Sequence, residues 1–159
     1  MPIVNNVTRL LDSHRIPYTA HELPVEKLGA LEAAQIMGVP PEQVYKTIVI
    51  LRDKPKKPVL AVIPGPLVVD IKSLAALLGE KKVRLPTERE AEQLTGLQAG
   101  GISPLALIHK GFQVVIDSAA QQYERIFISG GQRGLNIEIP VEALAKLVNA
   151  RFGSVSRQE

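Results

Sequence analysis

The sequence contains no cysteine and no tryptophan. Without thiols there is no disulfide framework, no thiolate metal site and no cysteine nucleophile, a usage that fits a reducing cytoplasm. Aromatic residues make up only 4% of the chain, which makes a surface that stacks several exposed bases on rings hard to assemble. No segment approaches the roughly 20 apolar residues that a membrane helix needs. The opening stretch MPIVNNVTRLLDSHRIPY also lacks the basic start and apolar run of a secretory signal. Charge of one sign is scarce too: 19 Lys and Arg oppose 16 Asp and Glu, a formal net charge of +3. So slight an excess permits a nucleic-acid partner without demanding one. The expectation is a soluble cytoplasmic protein with no membrane partner.

What is present is ordinary for a globular chain: 159 residues, 45% of them hydrophobic and 22% charged. Taking roughly 150 residues per domain, this length suits one domain over 1–159, because two cores would each be small and poorly buried. No internal repeat, linker or low-complexity tract interrupts it. Val4, Val7, Leu10 and Leu11 recur at helical spacing within Ile3 to Ser13, and Pro17 stops that helix. Tyr18 to Leu23 reads as a short strand, and Leu28 to Met37 as a helix closed by Gly38. Lys46 to Arg52 and Val59 to Ile63 are β-branched runs joined by the polar turn Asp53 to Lys57, which predicts a hairpin. Asp70 is a good N-cap for Ile71 to Leu78, and Thr87 with Glu90 forms a capping box for a helix through Leu94. Lys82 to Leu85, Val114 to Asp117, Arg125 to Ser129 and Leu135 to Ile139 read as further strands, and Val141 to Val148 as a closing helix. Strands and helices do not alternate one for one. The fold class expected is therefore α+β, a mixed sheet or barrel rather than a doubly wound sheet.

The chemistry these residues permit is restricted. His14 and His21 stand seven apart across a helix-to-strand break and His109 is isolated, so no pair has zinc-site spacing. Gly131-Gln132-Arg133-Gly134 lacks both the Walker ending and the dinucleotide spacing, and reads as a hairpin turn. Ser103, followed by Pro104, has no nucleophile elbow around it. Two features remain. Lys46 opens a strand in which Ile48 and Ile50 on one face, and Thr47, Val49 and Leu51 on the other, all look buried. A lysine there either faces a cavity or an anion that compensates its desolvation, or sits at the exposed mouth of the strand. The second feature is Gly96 to Pro104, where Gly100 and Gly101 precede Ile102, Ser103 and Pro104. Adjacent glycines let backbone N–H groups approach a ligand as donors to a carbonyl or oxyanion; the same residues also suit a plain turn.

Val44-Tyr45-Lys46-Thr47, Gly100-Gly101-Ile102-Ser103-Pro104 and Ser129-Gly130-Gly131-Gln132-Arg133-Gly134-Leu135, in that order, resemble the YbaK-type family of prolyl-tRNA synthetase-associated editing domains. The resemblance runs along nearly the whole chain. It implies a mixed β-barrel-like sheet with helices around it, and an aminoacyl-tRNA deacylase that needs no metal or other cofactor. It further implies that Lys46 is the essential lysine at the charged 3′ terminus, and that the Gly100 to Pro104 loop holds the substrate carbonyl through its N–H groups. Lys46, Gly100 and Gly101 are then the candidate catalytic residues. Thr47, Ile102, Ser103, Pro104, Ser129, Gly130 and Asn136 are candidate substrate-binding residues, with His21 added from its place near the pocket strand. A water or a group of the substrate supplies the nucleophile.

The resemblance also shows departures. Asn136 stands where members acting on cysteinyl-tRNA carry an acid, and Leu23 and Leu28 stand where they carry rings. Cysteine, alanine, serine or a non-protein amino acid on proline tRNA are accordingly the substrates implied, with prolyl-tRNA synthetase as a partner. The competing reading is a non-catalytic module of the same fold that binds charged tRNA or the synthetase.

Overall fold

The computed structural model describes residues 2–53 and 56–159. Helix α1, Asn6–Ser13, begins three residues later than its apolar periodicity suggests. Asn5 sets the start: its side chain accepts from Thr8 N at 2.9 Å while Thr8 Oγ1 accepts from Asn5 N at 2.9 Å, a reciprocal cap. Strand β1, Thr19–Glu22, leads to α2, Ala30–Met37, which Gly38 closes in the left-handed conformation at φ +70°. Strands β2, Tyr45–Ile50, and β3, Val59–Pro64, form the expected antiparallel hairpin. The centre of its turn, Lys54 and Pro55, lies outside the described residues.

Strand β4, Val68–Val69, precedes α3, Ile71–Leu78, which Asp70 caps through Ser73 N at 3.0 Å. Helix α4, Glu88–Thr95, carries the Thr87–Glu90 capping box read from the sequence and ends at Gly96. The last third contains β5, Gln113–Asp117; β6, Arg125–Ser129; β7, Leu135–Pro140; α5, Val141–Leu147; β8, Arg151–Gly153; and β9, Ser156–Arg157.

These strands form an antiparallel sheet of order β1-β7-β6, a mixed sheet of order β2-β3-β5-β8, and the small pair β4-β9. A parallel bridge between Val44 and Phe127 joins the two larger sheets. Among the described residues the pairings do not close into a ring; the two larger sheets, joined at Val44–Phe127, give the α+β, barrel-like arrangement expected. Strand β3 runs through the middle of the core. Leu60 and Val62 face one apolar cluster with Ile116, Ile126, Ile128, Ile137 and Ile139. Val59, Ala61 and Ile63 face another with Val115 and with Leu74 of α3. Burial on both faces explains why its sequence is an unbroken apolar run rather than an alternating one.

Two expectations are corrected. Lys82 to Leu85 does not form a strand: only Arg84 pairs, exchanging hydrogen bonds of 2.8 and 3.1 Å with Leu51. Pro86 comes two residues later and the chain turns into α4, so the pairing does not extend in that direction. Conversely, β4, β8 and β9 have only two or three residues each, too few for a period-2 pattern, and partner strands hold them in place. Buried Asp117 fastens this end of the chain. Its Oδ1 accepts from Ala119 N at 2.9 Å, and its Oδ2 accepts from Val155 N at 3.1 Å and Ser156 Oγ at 2.6 Å.

Candidate active-site cleft

Where the two larger sheets meet, the chain leaves a cleft of about 450 Å³. Its position follows from register. The Val44–Phe127 bridge is parallel, so Lys46 and Ser129, each two residues further along, come level with one another. Ser129 in turn pairs with Asn136 across the β6–β7 hairpin. Lys46, Thr47, Gly100, Ile102, Ser129 and Asn136 all line the cleft, and Leu23, Leu28, Ile48, Leu85 and Pro86 supply apolar wall.

Lys46 is half-buried, and among the described residues it has no ion-pair partner. Burial pushes its pKa down from the ordinary 10.5, and the negative charge of Glu159 opposes that shift. A lysine at a cleft wall that forms no ion pair keeps its donors open to the cleft. Lys46 thus lines the cleft near the start of β2, part of its side chain buried and part in solvent.

The loop from Gly96 to Pro104 is held by side chains of neighbouring elements. Glu92 Oε2 accepts from Ala99 N at 2.7 Å, Arg133 Nε donates to Ala99 O at 2.7 Å, and Ser129 Oγ donates to Gly100 O at 3.2 Å. Gly100 has φ +90°, a conformation that favours glycine. Gly101 is packed so closely that a Cβ there would lie 2.9 Å from Gln132 Cα. Its N–H donates to Gln98 O at 2.8 Å and is therefore engaged within the loop. Among the described residues the N–H groups of Gly100 and Ile102 meet no protein acceptor, and these two residues border the cleft. Ser103 and Pro104 lie beneath, fully buried or nearly so. Ser103 Oγ accepts from Leu105 N at 3.2 Å and Pro104 O from Leu107 N at 3.3 Å, so both shape the exit of the loop.

Asn136 is 6% exposed, and its Oδ1 has no hydrogen-bond partner. A buried oxygen left without a donor is costly, on the order of 1–3 kcal/mol. At a cleft wall it is a place where a ligand donor gains more than an ordinary hydrogen bond. Among the described residues, the Tyr45 hydroxyl, on the core side of β2, is the other such atom. Desolvation first, then Asp117 and Tyr123, raise its pKa, so it remains a neutral hydroxyl.

The remaining candidates fall outside the cleft lining. His21 pairs across β1 and β7 with Asn136, but its Nε2 lies 3.1 Å from Glu138 Oε1 and its ring is 5.6 Å from that of Phe127. Gly130 closes the β6–β7 turn, its N–H donating to Leu135 O at 2.9 Å and its carbonyl accepting from Asn5 Nδ2 at 2.9 Å. Reading the sequence also missed residues. Leu85, Pro86, Thr87 and Glu88 enter the cleft from the α4 entrance, Glu26 enters from the β1–α2 connection, and Lys27 reaches across to Glu88 at 2.6 Å. No local pattern announces them, because their proximity comes from tertiary packing.

Lys46 and the glycine loop thus line one cleft between the two larger sheets of an α+β domain. Residues 26–147 match the aminoacyl-tRNA editing domain family. The chain is 35% identical over 156 residues, 97% of its length and 94% of the relative's, to EbsC of Enterococcus faecalis, whose name is that of a proposed Cys-tRNA(Pro)/Cys-tRNA(Cys) deacylase. A solved structure of the hypothetical protein APE2540 superposes with a TM-score of 0.87 at 25% identity, covering 96% of this chain and all of that one. The fold is shared as well with a proposed trans-editing enzyme for prolyl-tRNA synthetase, with a TM-score of 0.78 at 22% identity and coverage of 98% and 99%. The chain belongs to the aminoacyl-tRNA editing domain family.

Proposed function

We propose that the protein acts in trans as a deacylase on mischarged proline tRNA, removing cysteine or another small amino acid by hydrolysis of its ester to the terminal ribose. The observation that carries this reading is the meeting, in one cleft, of the partnerless Lys46, the unengaged N–H groups of Gly100 and Ile102, and the unpaired Asn136 oxygen. The kinship with EbsC supports the choice of cysteine and of proline tRNA.

In this mechanism the ester carbonyl oxygen lies against the loop N–H groups, which stabilise the charge that develops on it. Lys46 holds the charged terminus through its phosphate or ester region. Water, or a nucleophilic group of the substrate, adds to the carbonyl carbon. The bond from that carbon to the ribose oxygen breaks, and the oxygen leaves with a proton. Rate acceleration comes from position and from fixed dipoles, with no covalent enzyme intermediate. The Asn136 oxygen accepts a hydrogen bond from a donor on the aminoacyl group. The apolar wall from Leu23, Leu28 and Leu85 limits the side chain to a small one.

The test is incubation with cysteinyl-, alanyl- and seryl-tRNA(Pro), with the wild type and Lys46→Ala. Ester loss with the wild type and none with the variant is the expected result. Asn136, in the place of an acid, favours a second reading, a module that binds charged tRNA or prolyl-tRNA synthetase without catalysis. Retention of intact charged tRNA through long incubation would establish that reading, and rapid deacylation excludes it.

A further inference from the structure

We infer that Arg133 is a positioning residue for the reaction, setting the direction of the Gly100 N–H by holding the carbonyl of the same peptide group. The inference rests on the deacylase reading above and adds a residue that lies outside the cleft lining. Arg133 sits in the β6–β7 turn, where Gly131 at φ +90° and Gly134 at φ +91° coil the chain toward the glycine loop. Its Nε donates to Ala99 O at 2.7 Å. Its Cγ lies 3.6 Å, and its Nε 3.8 Å, from the point a Gly100 Cβ would occupy, so the stem also covers one side of Gly100.

A trans peptide group is planar, with its C=O and N–H pointing in opposite directions. Fixing Ala99 O therefore fixes the Gly100 N–H on the far side, away from Arg133. The next peptide is held in the same way. Ser129 Oγ donates to Gly100 O at 3.2 Å and the Gly101 N–H is bound to Gln98 O at 2.8 Å. Each of the two successive peptide groups is anchored by its carbonyl, and the first keeps its N–H unengaged at the cleft. Glycine at position 100 gains from such anchoring, because without a side chain its backbone has more conformations open to it. Arginine is well fitted to this role, since its planar guanidinium donors are directional. Among the described residues the terminal nitrogens Nη1 and Nη2 meet no protein acceptor.

The experiment uses the full-length protein and its Arg133→Met and Arg133→Lys variants, with hydrolysis of cysteinyl-tRNA(Pro) followed at several salt concentrations. Arg133→Met is expected to lower kcat about 100-fold, the scale of a misplaced catalytic group, with KM and its salt dependence unchanged. Arg133→Lys recovers part of the loss. Amide hydrogen exchange is measured on the same proteins without substrate. Exchange at residues 99–102 accelerates in Arg133→Met while the unfolding midpoint stays close to that of the wild type. Unchanged kcat overturns the inference, as does unchanged exchange. So does a loss confined to KM that lowers the salt slope by about one, which marks a phosphate contact instead. If the wild type itself fails to deacylate, the proposed function falls, and exchange alone decides the role of Arg133.

Discussion

Lys46 combines a functional position with a thermodynamic cost. Its depressed pKa means that folding disfavours its charged form. Between the folded-state value and 10.5 the unfolded chain binds more protons than the native one, so in that window stability rises with pH. Below the window the lysine is charged in both states and the fold carries the whole penalty. Lys46→Met is therefore expected to be more stable than the wild type at pH 7, with the difference shrinking as pH approaches 10, measured by denaturant unfolding at both values. The same variant should lose deacylation, the trade expected where a site is kept for function. Asn136→Leu follows similar logic. Removing the orphaned oxygen should raise stability by about 1 kcal/mol and slow turnover, read by thermal unfolding and single-turnover hydrolysis. In the sequence, Lys46 stood out because a charge opened an apolar strand. The orphaned state of Asn136 did not, since it depends on the donors that the surrounding elements fail to supply.

Among the elements, α3 was legible to the residue and α4 to within one, whereas the Asn5 cap that sets the start of α1 went unread. Asp70 and Thr87 begin α3 and α4 and Gly79 and Gly96 end them, because a cap is a local interaction that needs no tertiary partner. The β6–β7 hairpin and the β2–β3 pair were legible for the same reason. The C-terminal pieces were not: β8 and β9 exist because β5 and β4 offer edges, and Asp117 ties them there. Asp117→Ala removes three hydrogen bonds accepted by one buried side chain. It should destabilise the protein by about 3 kcal/mol, measured by denaturant unfolding, with exchange protection lost early at 151–157. The glycine loop makes a different prediction. At Gly101 a new Cβ meets the Gln132 backbone at 2.9 Å, which no side-chain rotation relieves. Gly101→Ala should push the loop off the β6–β7 turn and reduce kcat far more than it lowers the unfolding temperature.

At the scale of the whole molecule, a net charge of +3 and few aromatic residues leave little surface for gripping a tRNA body. Affinity for uncharged tRNA should be weak and fall with salt at about 0.9 log units per phosphate contacted, amounting to only a few contacts. On the proposed function, discrimination would then rest on the cleft rather than on the tRNA body. The barrel-like class was readable from the irregular succession of elements, whereas the cleft was not. Its walls come from chain segments as distant as Leu23, Leu85 and Asn136, brought together by tertiary pairings such as the Val44–Phe127 and Leu51–Arg84 bridges and the Leu23 N–H bond to Gly134 O. Hydrolysis of the aminoacyl ester at that cleft is best measured with purified protein and cysteinyl-tRNA(Pro), wild type beside Lys46→Ala. Ester loss well above the buffer rate, abolished in Lys46→Ala, is the expected result. Loss no faster than in buffer, or loss undiminished in Lys46→Ala, would contradict it.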